Sequence, residues 1–151
     1  MTMKFRAHDT FFIRKGWLSK GMKYVQQNPC VFVDKEENPM DVLGIGANMV
    51  KALRYWLQAV GLTTEMSGRK REQHFTELGK CVYEYDKYLE ELGTLCLLQY
   101  KLAANLHEAT SWYCFFNCFE MNEFTKEDFI VWLQKFIDER EPEAMPATRS
   151  M

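Results

Sequence analysis

The sequence predicts a mainly α-helical protein with a small β hairpin, organised as a winged helix-turn-helix followed by a C-terminal helical lobe. Apolar residues recur at helical spacing through most of the chain. The glycine-bounded turn Gly44-Ile45-Gly46 joins two of these helical patterns. Two short β-prone segments flank the polar stretch 66–73 (MSGRKREQ), directly after the longer of the two helices.

The predicted winged helix begins with two helices and a tight turn. Residues 13–27 carry apolar side chains at helical spacing, and Asn28-Pro29 ends that pattern. The segment 30–33 (CVFV) is β-prone. Asn38-Pro39 is a cap-and-first-turn pair for a short second helix that reaches residue 43.

The third helix and the hairpin complete this half. Residues 47–60 form the longer helix, and Gly61 provides its C-terminal stop. The segments 63–65 (TTE) and 74–78 (HFTEL) are expected to pair as a hairpin with a charged tip. Residues 1–79 therefore form the predicted winged helix-turn-helix.

Residues 80–140 are predicted to form a helical and aromatic lobe packed on the first. Segments 81–92 and 94–105 are predicted to be helices, and the second is apolar enough to be buried. The aromatic segment 111–119 is compatible with a buried helix or a strand. Thr125 and Asp128 resemble a capping box that starts a helix running to about residue 139. Residues 141–151 are expected to be a flexible tail.

Composition predicts a soluble, cytoplasmic, packed protein. The chain has 151 residues, of which 47% are hydrophobic and 15% aromatic. Its apolar runs fall short of the ~18 residues of a membrane span, and its start lacks the apolar region of a secretory signal. Five cysteines without a CxxC pair indicate reduced thiols.

Charge is distributed unevenly along the chain. Residues 1–80 hold 13 Lys/Arg and 8 Asp/Glu, a net charge of +5, whereas residues 81–151 hold 6 and 13, a net −7. The formal total is −2. This asymmetry favours contact between the first half and an anion, although chance distribution of surface charge explains it equally well.

The third helix carries the candidate reading residues. Projected at about 100° per residue, residues 47–60 separate into an apolar arc and a polar arc whose charges are all basic. In a helix-turn-helix, the second helix enters the major groove, where such side chains reach base edges and phosphates. The alternative is a face that only contacts water. The candidate double-stranded DNA contacts on this helix are Asn48, Lys51, Arg54, Tyr55 and Gln58.

The predicted hairpin tip adds a second basic group. Arg69, Lys70 and Arg71 are placed where a wing would contact the phosphate backbone, which positions a protein without specifying sequence. A solvated loop tip is the alternative, and Glu72 offsets part of the charge.

Other constellations are weak. His8-Asp9 invites a catalytic interpretation as a His–carboxylate pair, but a nucleophile in a recognisable frame is missing. His107, Cys114 and Cys118 lack the second ligand pair of a zinc site. Phosphate-binding, dinucleotide-binding and GxSxG motifs are also missing. The sequence therefore predicts a non-enzyme without a cofactor or metal.

Four stretches resemble a known family: AHDTFFIRKGWLSKG, LGIGANMVKALRYWL, DKYLEELGTLCLLQY and SWYCFFN. They are similar to the bacterial and archaeal domain-of-unknown-function family numbered four thousand and seven, over nearly all of the chain to about Asp138. Asp9 departs from the glutamate usual there. The matching residues are His8, Thr10, Phe11, Arg14, Trp17, Leu18, Lys20, Gly21, Leu43, Gly44, Gly46, Asn48, Met49, Val50, Arg54, Tyr55, Trp56, Gly93, Thr94, Leu95, Trp112, Tyr113, Phe116 and Asn117.

The resemblance implies a DNA-directed accessory role. Genes of the family tend to lie beside sulfotransfer-type reductase, cysteine desulfurase and DNA-phosphorothioation or other phage-defence genes, and its members commonly continue past this chain. The expected function is a non-catalytic DNA-binding accessory of an anti-phage defence system. Its acidic lobe would dock a defence partner or a second copy of the chain. The alternatives are an adaptor that docks proteins through a winged-helix scaffold and an enzyme that works with a partner through His8 and Asp9.

Overall fold

The computed structural model describes residues 4–5, 7–66 and 71–140. Over these residues the protein is mainly helical, with one small antiparallel sheet, as the sequence predicts. The elements are α1 (Trp17–Gln27), α2 (Pro39–Leu43), α3 (Ala47–Ala59), β1 (Thr63–Glu65), β2 (Gln73–Phe75), α4 (Glu77–Tyr85), α5 (Leu92–Ala103), α6 (Thr110–Asn117) and α7 (Lys126–Arg140).

The chain divides into two compact units. The N-terminal unit is Ala7–Lys101, and the described part of the C-terminal unit is residues 102–140 with Lys4 and Phe5. The sequence predicts a boundary at residue 79, within α4, whereas the N-terminal unit extends to Lys101, near the end of α5. The reason is that α4 packs against α1 and β2, and so belongs to the N-terminal unit.

Helix α1 begins later than its apolar spacing predicts. Gly16 adopts a left-handed conformation with φ of 80°, which separates residues 13–15 from the helix. Within α1, Gly21 allows close approach to α3. A Cβ added at Gly21 would lie 2.8 Å from Leu57 Cδ1 and 3.2 Å from Leu53 Cδ1.

Helices α2 and α3 are joined as the sequence predicts. The Asn38 side chain accepts a hydrogen bond from the Met40 amide at 3.1 Å, and Pro39 occupies the first turn. Gly44 ends α2 with φ of 63°, a left-handed conformation that favours glycine. Helix α3 then packs on both α1 and α2.

The segment 30–33 is a turn, and the β-prone interpretation is wrong. The Asn28 side chain accepts a hydrogen bond from the Cys30 amide at 2.9 Å, and the Val33 amide donates to the Cys30 carbonyl at 2.8 Å. Val31 and Phe32 are nevertheless buried. Local asparagine bonding therefore overrides β propensity here.

Strands β1 and β2 pair antiparallel in the predicted hairpin, with Thr63 opposite Phe75 and Glu65 opposite Gln73. The second strand is shorter than predicted because Thr76 caps α4. Its hydroxyl accepts from the Gly79 amide at 2.9 Å and donates to the Gly61 carbonyl at 2.6 Å. We call this junction of α3, β1 and α4 the Thr76 junction.

Helix α5 is an apolar helix that is mostly exposed, whereas the sequence predicted it to be buried. Leu92 is 74% exposed and Tyr100 66%, and Leu95 and Leu97 are also exposed. Leu98 and Leu102, four residues apart on the helix, are buried. Hydrophobic composition alone does not tell a core helix from one that presents an apolar face to its surroundings.

The predicted continuous helix over 81–92 is interrupted after Tyr85. The Asp86 carboxylate accepts hydrogen bonds from the amides of Glu90, at 2.9 Å, and Glu91, at 3.2 Å. These bonds lower the pKa of Asp86, with the Glu90 amide making the largest contribution. Residues 86–91 thus form a turn that separates α4 from α5.

In the C-terminal unit, the aromatic segment that was compatible with a helix or a strand forms a helix, α6, which packs against α7. Cys114, Leu133 and Ile137 form the buried centre, surrounded by aromatic rings such as Phe129 and Trp132. Desolvation by burial, with a further contribution from Cys118, raises the pKa of the Cys114 thiol to about 12.

The predicted capping box at the start of α7 is confirmed. The Thr125 amide donates to Asp128 Oδ2 at 2.8 Å, and the Asp128 amide donates back to Thr125 Oγ1 at 3.2 Å. Within the described ranges, none of the helices has both the length and the apolarity to cross a bilayer.

Candidate nucleic-acid interface

The N-terminal end of α3 is held in place by α1 and α2. Lys20 Nζ on α1 donates to the Leu43 carbonyl at 3.1 Å, which satisfies an oxygen at the end of α2. Gly46, the residue before α3, is exposed, and α3 receives no side-chain cap there. The first turn of α3 therefore has amide groups and the positive end of the helix dipole available to an anion.

Asn48 and Lys51 are exposed on this open end of α3. Residues three apart on a helix lie on one face, so the amide and the ammonium group point to a common side. An amide can pair with the edge of adenine, while an ammonium group reaches guanine or phosphate. These two predicted residues have the exposure that base or phosphate contact requires.

Arg54 does not have that freedom, because it is paired with a carboxylate. Its guanidinium donates to both oxygens of Glu65 at 2.6 to 2.8 Å, and the two side chains are only 20% and 22% exposed. This bidentate pair joins the middle of α3 to β1. The expectation of a free cation at Arg54 is therefore wrong, and Glu65 is the residue that the sequence analysis missed.

Gln58 and Tyr55 also differ from their predicted roles. The Gln58 side-chain amide donates to the Arg54 carbonyl at 3.2 Å, and the side chain is half-buried. Tyr55 is buried, with 7% of its surface exposed, and its ring lies 5.0 Å from that of Trp56. Tyr55 is a core residue and is not positioned to read a base.

The predicted wing lies only partly within the described residues. Arg71 is exposed and has a positive φ of 48°. Arg69 and Lys70 lie outside the described residues. Beside Arg71, Glu72 Oε2 lies 3.3 Å from His74 Nε2. Since β1 packs on α3, the hairpin is attached to the same body as the proposed reading helix.

A family model described as "Protein of unknown function (DUF4007)" matches residues 5–151. The chain belongs to this family. The fold agrees with solved structures as well. The structure titled "Magnesium ion-bound SspB crystal structure" is 34% identical with a TM-score of 0.85, and "SspB crystal structure" is 33% identical with a TM-score of 0.84.

The DUF4007 chain spans less than half the length of these SspB chains. In each comparison 97% of this chain is covered, against 45% and 46% of the SspB chains. No curated protein is significantly similar. Within residues 4–5, 7–66 and 71–140, no group of three His, Cys, Asp or Glu side chains is arranged to hold a metal ion.

In this DUF4007 chain, His8 and Asp9 occupy different environments. The buried imidazole of His8 stacks on Trp56, with ring centres 5.5 Å apart, and on Phe12 at 5.9 Å. Asp9 is exposed, with a positive φ of 47°. Trp56 Nε1 also donates to the Phe11 carbonyl at 2.8 Å, so residues 8–12 cover the part of α3 that includes Tyr55.

Proposed function

We propose that this DUF4007 protein binds double-stranded DNA by placing the exposed first half of α3 in the major groove. The observation that carries the proposal is the pair Asn48 and Lys51, exposed beside the uncapped N-terminal end of a helix that follows a tight turn. The major groove, about 12 Å wide, admits an α-helix, and the early residues of a recognition helix reach the bases.

The wing supplies the second contact in this winged helix-turn-helix proposal. Arg71, with Arg69 and Lys70, would contact backbone phosphates beside the groove that α3 occupies. Arg54 and Glu65 are assigned a different role. Their bidentate pair fixes β1 against α3 and so sets the angle between helix and hairpin. Asn48 would read a base, while Lys51 and Arg71 would position the protein on phosphates.

The two classes of contact give different signatures in fluorescence anisotropy titrations on a panel of duplexes of different sequence. Each phosphate contact adds about 0.9 to the slope of log affinity against log salt concentration. Lys51→Ala should therefore weaken all sequences alike and reduce that slope by about 0.9. Asn48→Ala should leave the slope unchanged and lower discrimination between sequences, by about 1–3 kcal/mol at one position.

A matched control is Lys135→Ala, which removes an exposed lysine from α7 in the other unit. It should bind duplex DNA like the wild type. Circular dichroism spectra should show that every variant is folded, since Asn48 and Lys51 are both exposed. If Lys51→Ala and Asn48→Ala both bind with wild-type affinity, slope and discrimination, the assignment of α3 to the groove is wrong.

We place this binding activity in a prokaryotic anti-phage defence system of the phosphorothioation-associated kind, as a non-catalytic accessory. The family resemblance and the similarity to SspB chains support that setting. Incubation of the chain with supercoiled plasmid and Mg²⁺ tests the non-catalytic part. Retarded plasmid that stays supercoiled supports it, and conversion to nicked circles overturns it.

The second candidate function is a protein–protein adaptor built on the same scaffold. The exposed apolar side of α5 favours it, because a surface that presents Leu92, Leu97 and Tyr100 is typical of a docking site. An adaptor should give no duplex shift at physiological ionic strength. Leu92→Glu should then abolish co-purification with the proposed defence partner, whereas Lys51→Ala should leave it intact.

A further inference from the structure

A cavity of about 440 Å³ opens between α1, α4 and the turn that follows α4. Its size falls within the range of about 300–1,000 Å³ that is typical of small-molecule sites. It lies wholly within the N-terminal unit. Lysine and tyrosine side chains dominate its lining: Lys20, Lys23, Lys87, Tyr24, Tyr83 and Tyr88.

The cavity concentrates positive charge. Among the described residues, none of those lining it is acidic, and none of its three ammonium groups lies within 4.0 Å of a carboxylate. Glu84, the acidic neighbour of Tyr83 on α4, is not part of the lining. The like charges of these three lysine side chains repel one another, and a bound anion would relieve that repulsion.

Each of the three ammonium groups makes a specific contact, and the partner of the Lys20 ammonium group lies outside the lining. Lys20 Nζ donates to the Leu43 carbonyl at 3.1 Å. Lys23 Nζ lies 5.5 Å from the centre of the Tyr24 ring, and Lys87 Nζ lies 5.0 Å from that of Tyr88. Cation–π contacts of this length orient an ammonium group without neutralising it.

The tyrosines supply flat surfaces next to these charges. The Tyr83 ring is supported from behind by Phe75, with ring centres 5.3 Å apart. Tyr88 is 66% exposed, so much of its ring is accessible to a ligand. An aromatic ring beside a cluster of lysines is the combination with which proteins bind a nucleotide, stacking the base and pairing the phosphate.

We propose that this cavity binds a single nucleotide. Lys23 and Lys87 contact its phosphate, Lys20 adds charge from the wall, and Tyr88 stacks on its base. The nucleotide is either a free monophosphate or one unit of a single strand, since both present the same base and phosphate. The site is separate from the first half of α3, so it does not depend on duplex binding.

Isothermal titration calorimetry on the whole chain at low salt tests the proposal. The probes are thymidine 5′-monophosphate, thymidine, inorganic phosphate and 5′-phosphorylated tetrathymidylate. We expect the monophosphate or the tetranucleotide to bind at least about tenfold more tightly than thymidine or phosphate alone, because only they engage both lysines and tyrosine. If thymidine 5′-monophosphate and the tetranucleotide bind equally well, the ligand is a free nucleotide. If only the tetranucleotide binds, the ligand is a single strand.

The test variants are Lys23→Ala and Tyr88→Ala, both of exposed residues, and each should weaken binding about tenfold or more. Their controls are Lys35→Ala and Tyr85→Ala, which remove exposed residues outside the lining and should bind like the wild type. Lys51→Ala should also leave nucleotide binding unchanged, which separates this site from duplex binding. The proposal is overturned if neither nucleotide binds at millimolar concentration, or if Tyr88→Ala has no effect.

Discussion

Gly79 should tolerate no side chain, and Gly79→Ala should destabilise the protein. An alanine Cβ would overlap the Leu62 carbonyl oxygen and lie 2.9 Å from its carbonyl carbon, where ordinary contact begins at 3.4 Å. The carbonyl cannot turn away without cost, because it accepts a hydrogen bond from the Thr76 amide at 3.1 Å. Relieving the overlap with that oxygen therefore requires the start of α4 to move by about 1 Å or more.

The expected magnitude combines two opposing effects. Overpacking against a rigid neighbour costs about 1–3 kcal/mol, and weakening of hydrogen bonds at the Thr76 junction costs about 1 kcal/mol each. Alanine recovers up to about 1 kcal/mol over glycine in a helix. We expect a net loss of about 2–3 kcal/mol in the free energy of unfolding. For a chain of this size, that loss lowers Tm by roughly 4–12 °C.

Urea denaturation followed by circular dichroism measures the change. The matched control is Gly93→Ala in α5, where an added Cβ meets nothing within 4 Å, so alanine should stabilise the helix by up to about 1 kcal/mol. If Gly79→Ala is as stable as the wild type while Gly93→Ala behaves as expected, the close approach of α4 to Leu62 is refuted.

Three further predictions concern individual side chains. Glu65→Gln should cost about 1–3 kcal/mol in urea denaturation by leaving Arg54 half-buried without its carboxylate, and an unchanged midpoint would contradict the structural role. Thr125→Ala should cost about 1 kcal/mol by removing the α7 cap. Hydrogen bonds from Thr125 lower the pKa of Asp128 below 3.8, so the stability that the Asp128 carboxylate contributes is present above pH ~4 and is lost as pH falls further. Urea denaturation of the wild type and Thr125→Ala over a pH series should therefore show a smaller loss of unfolding free energy at acid pH in the variant. Cys114, with its pKa raised to about 12, should resist a thiol reagent at pH 8 that labels the exposed cysteines, as mass spectrometry of tryptic peptides would show.

Most of the fold was predictable because its signals are local. Asn38-Pro39, Gly44 and Gly61 carry backbone conformations or caps that few other residues favour, and each marks a helix end in the structure. The Thr125–Asp128 capping box is local in the same sense. The β-strand interpretation of residues 30–33 was wrong because the Asn28 side chain accepts a hydrogen bond from a nearby backbone amide. Such a local side-chain bond competes with strand pairing, and β propensity does not take it into account.

The candidate site was less predictable because exposure depends on distant parts of the chain. Tyr55 lies on the polar arc of α3 in projection, yet residues 8–12 fold over that part of the helix. Arg54 is neutralised by a residue eleven positions away, on a different element. A carboxylate on the strand directly after a basic helix, as Glu65 is, was the available signal.

The prediction that α5 is buried was wrong for a related reason. A segment rich in leucine is the usual signature of a core helix, but here only part of its circumference is covered. The lysine–tyrosine cavity has only a weak signal in the sequence. Lys23-Tyr24 and Lys87-Tyr88 repeat one dipeptide on elements that only the folded chain brings together.

The Thr76 junction has a consequence for how the two proposed ligands would act together. The Thr76 hydroxyl bonds both the segment that joins α3 to β1 and the first turn of α4. Gly79 packs so closely against the Leu62 carbonyl that these elements have no room to move independently. A ligand that shifts the hairpin must therefore displace α4, which carries Tyr83 in the cavity wall. By thermodynamic reciprocity, whatever factor duplex DNA imposes on nucleotide affinity, the nucleotide must impose on duplex affinity.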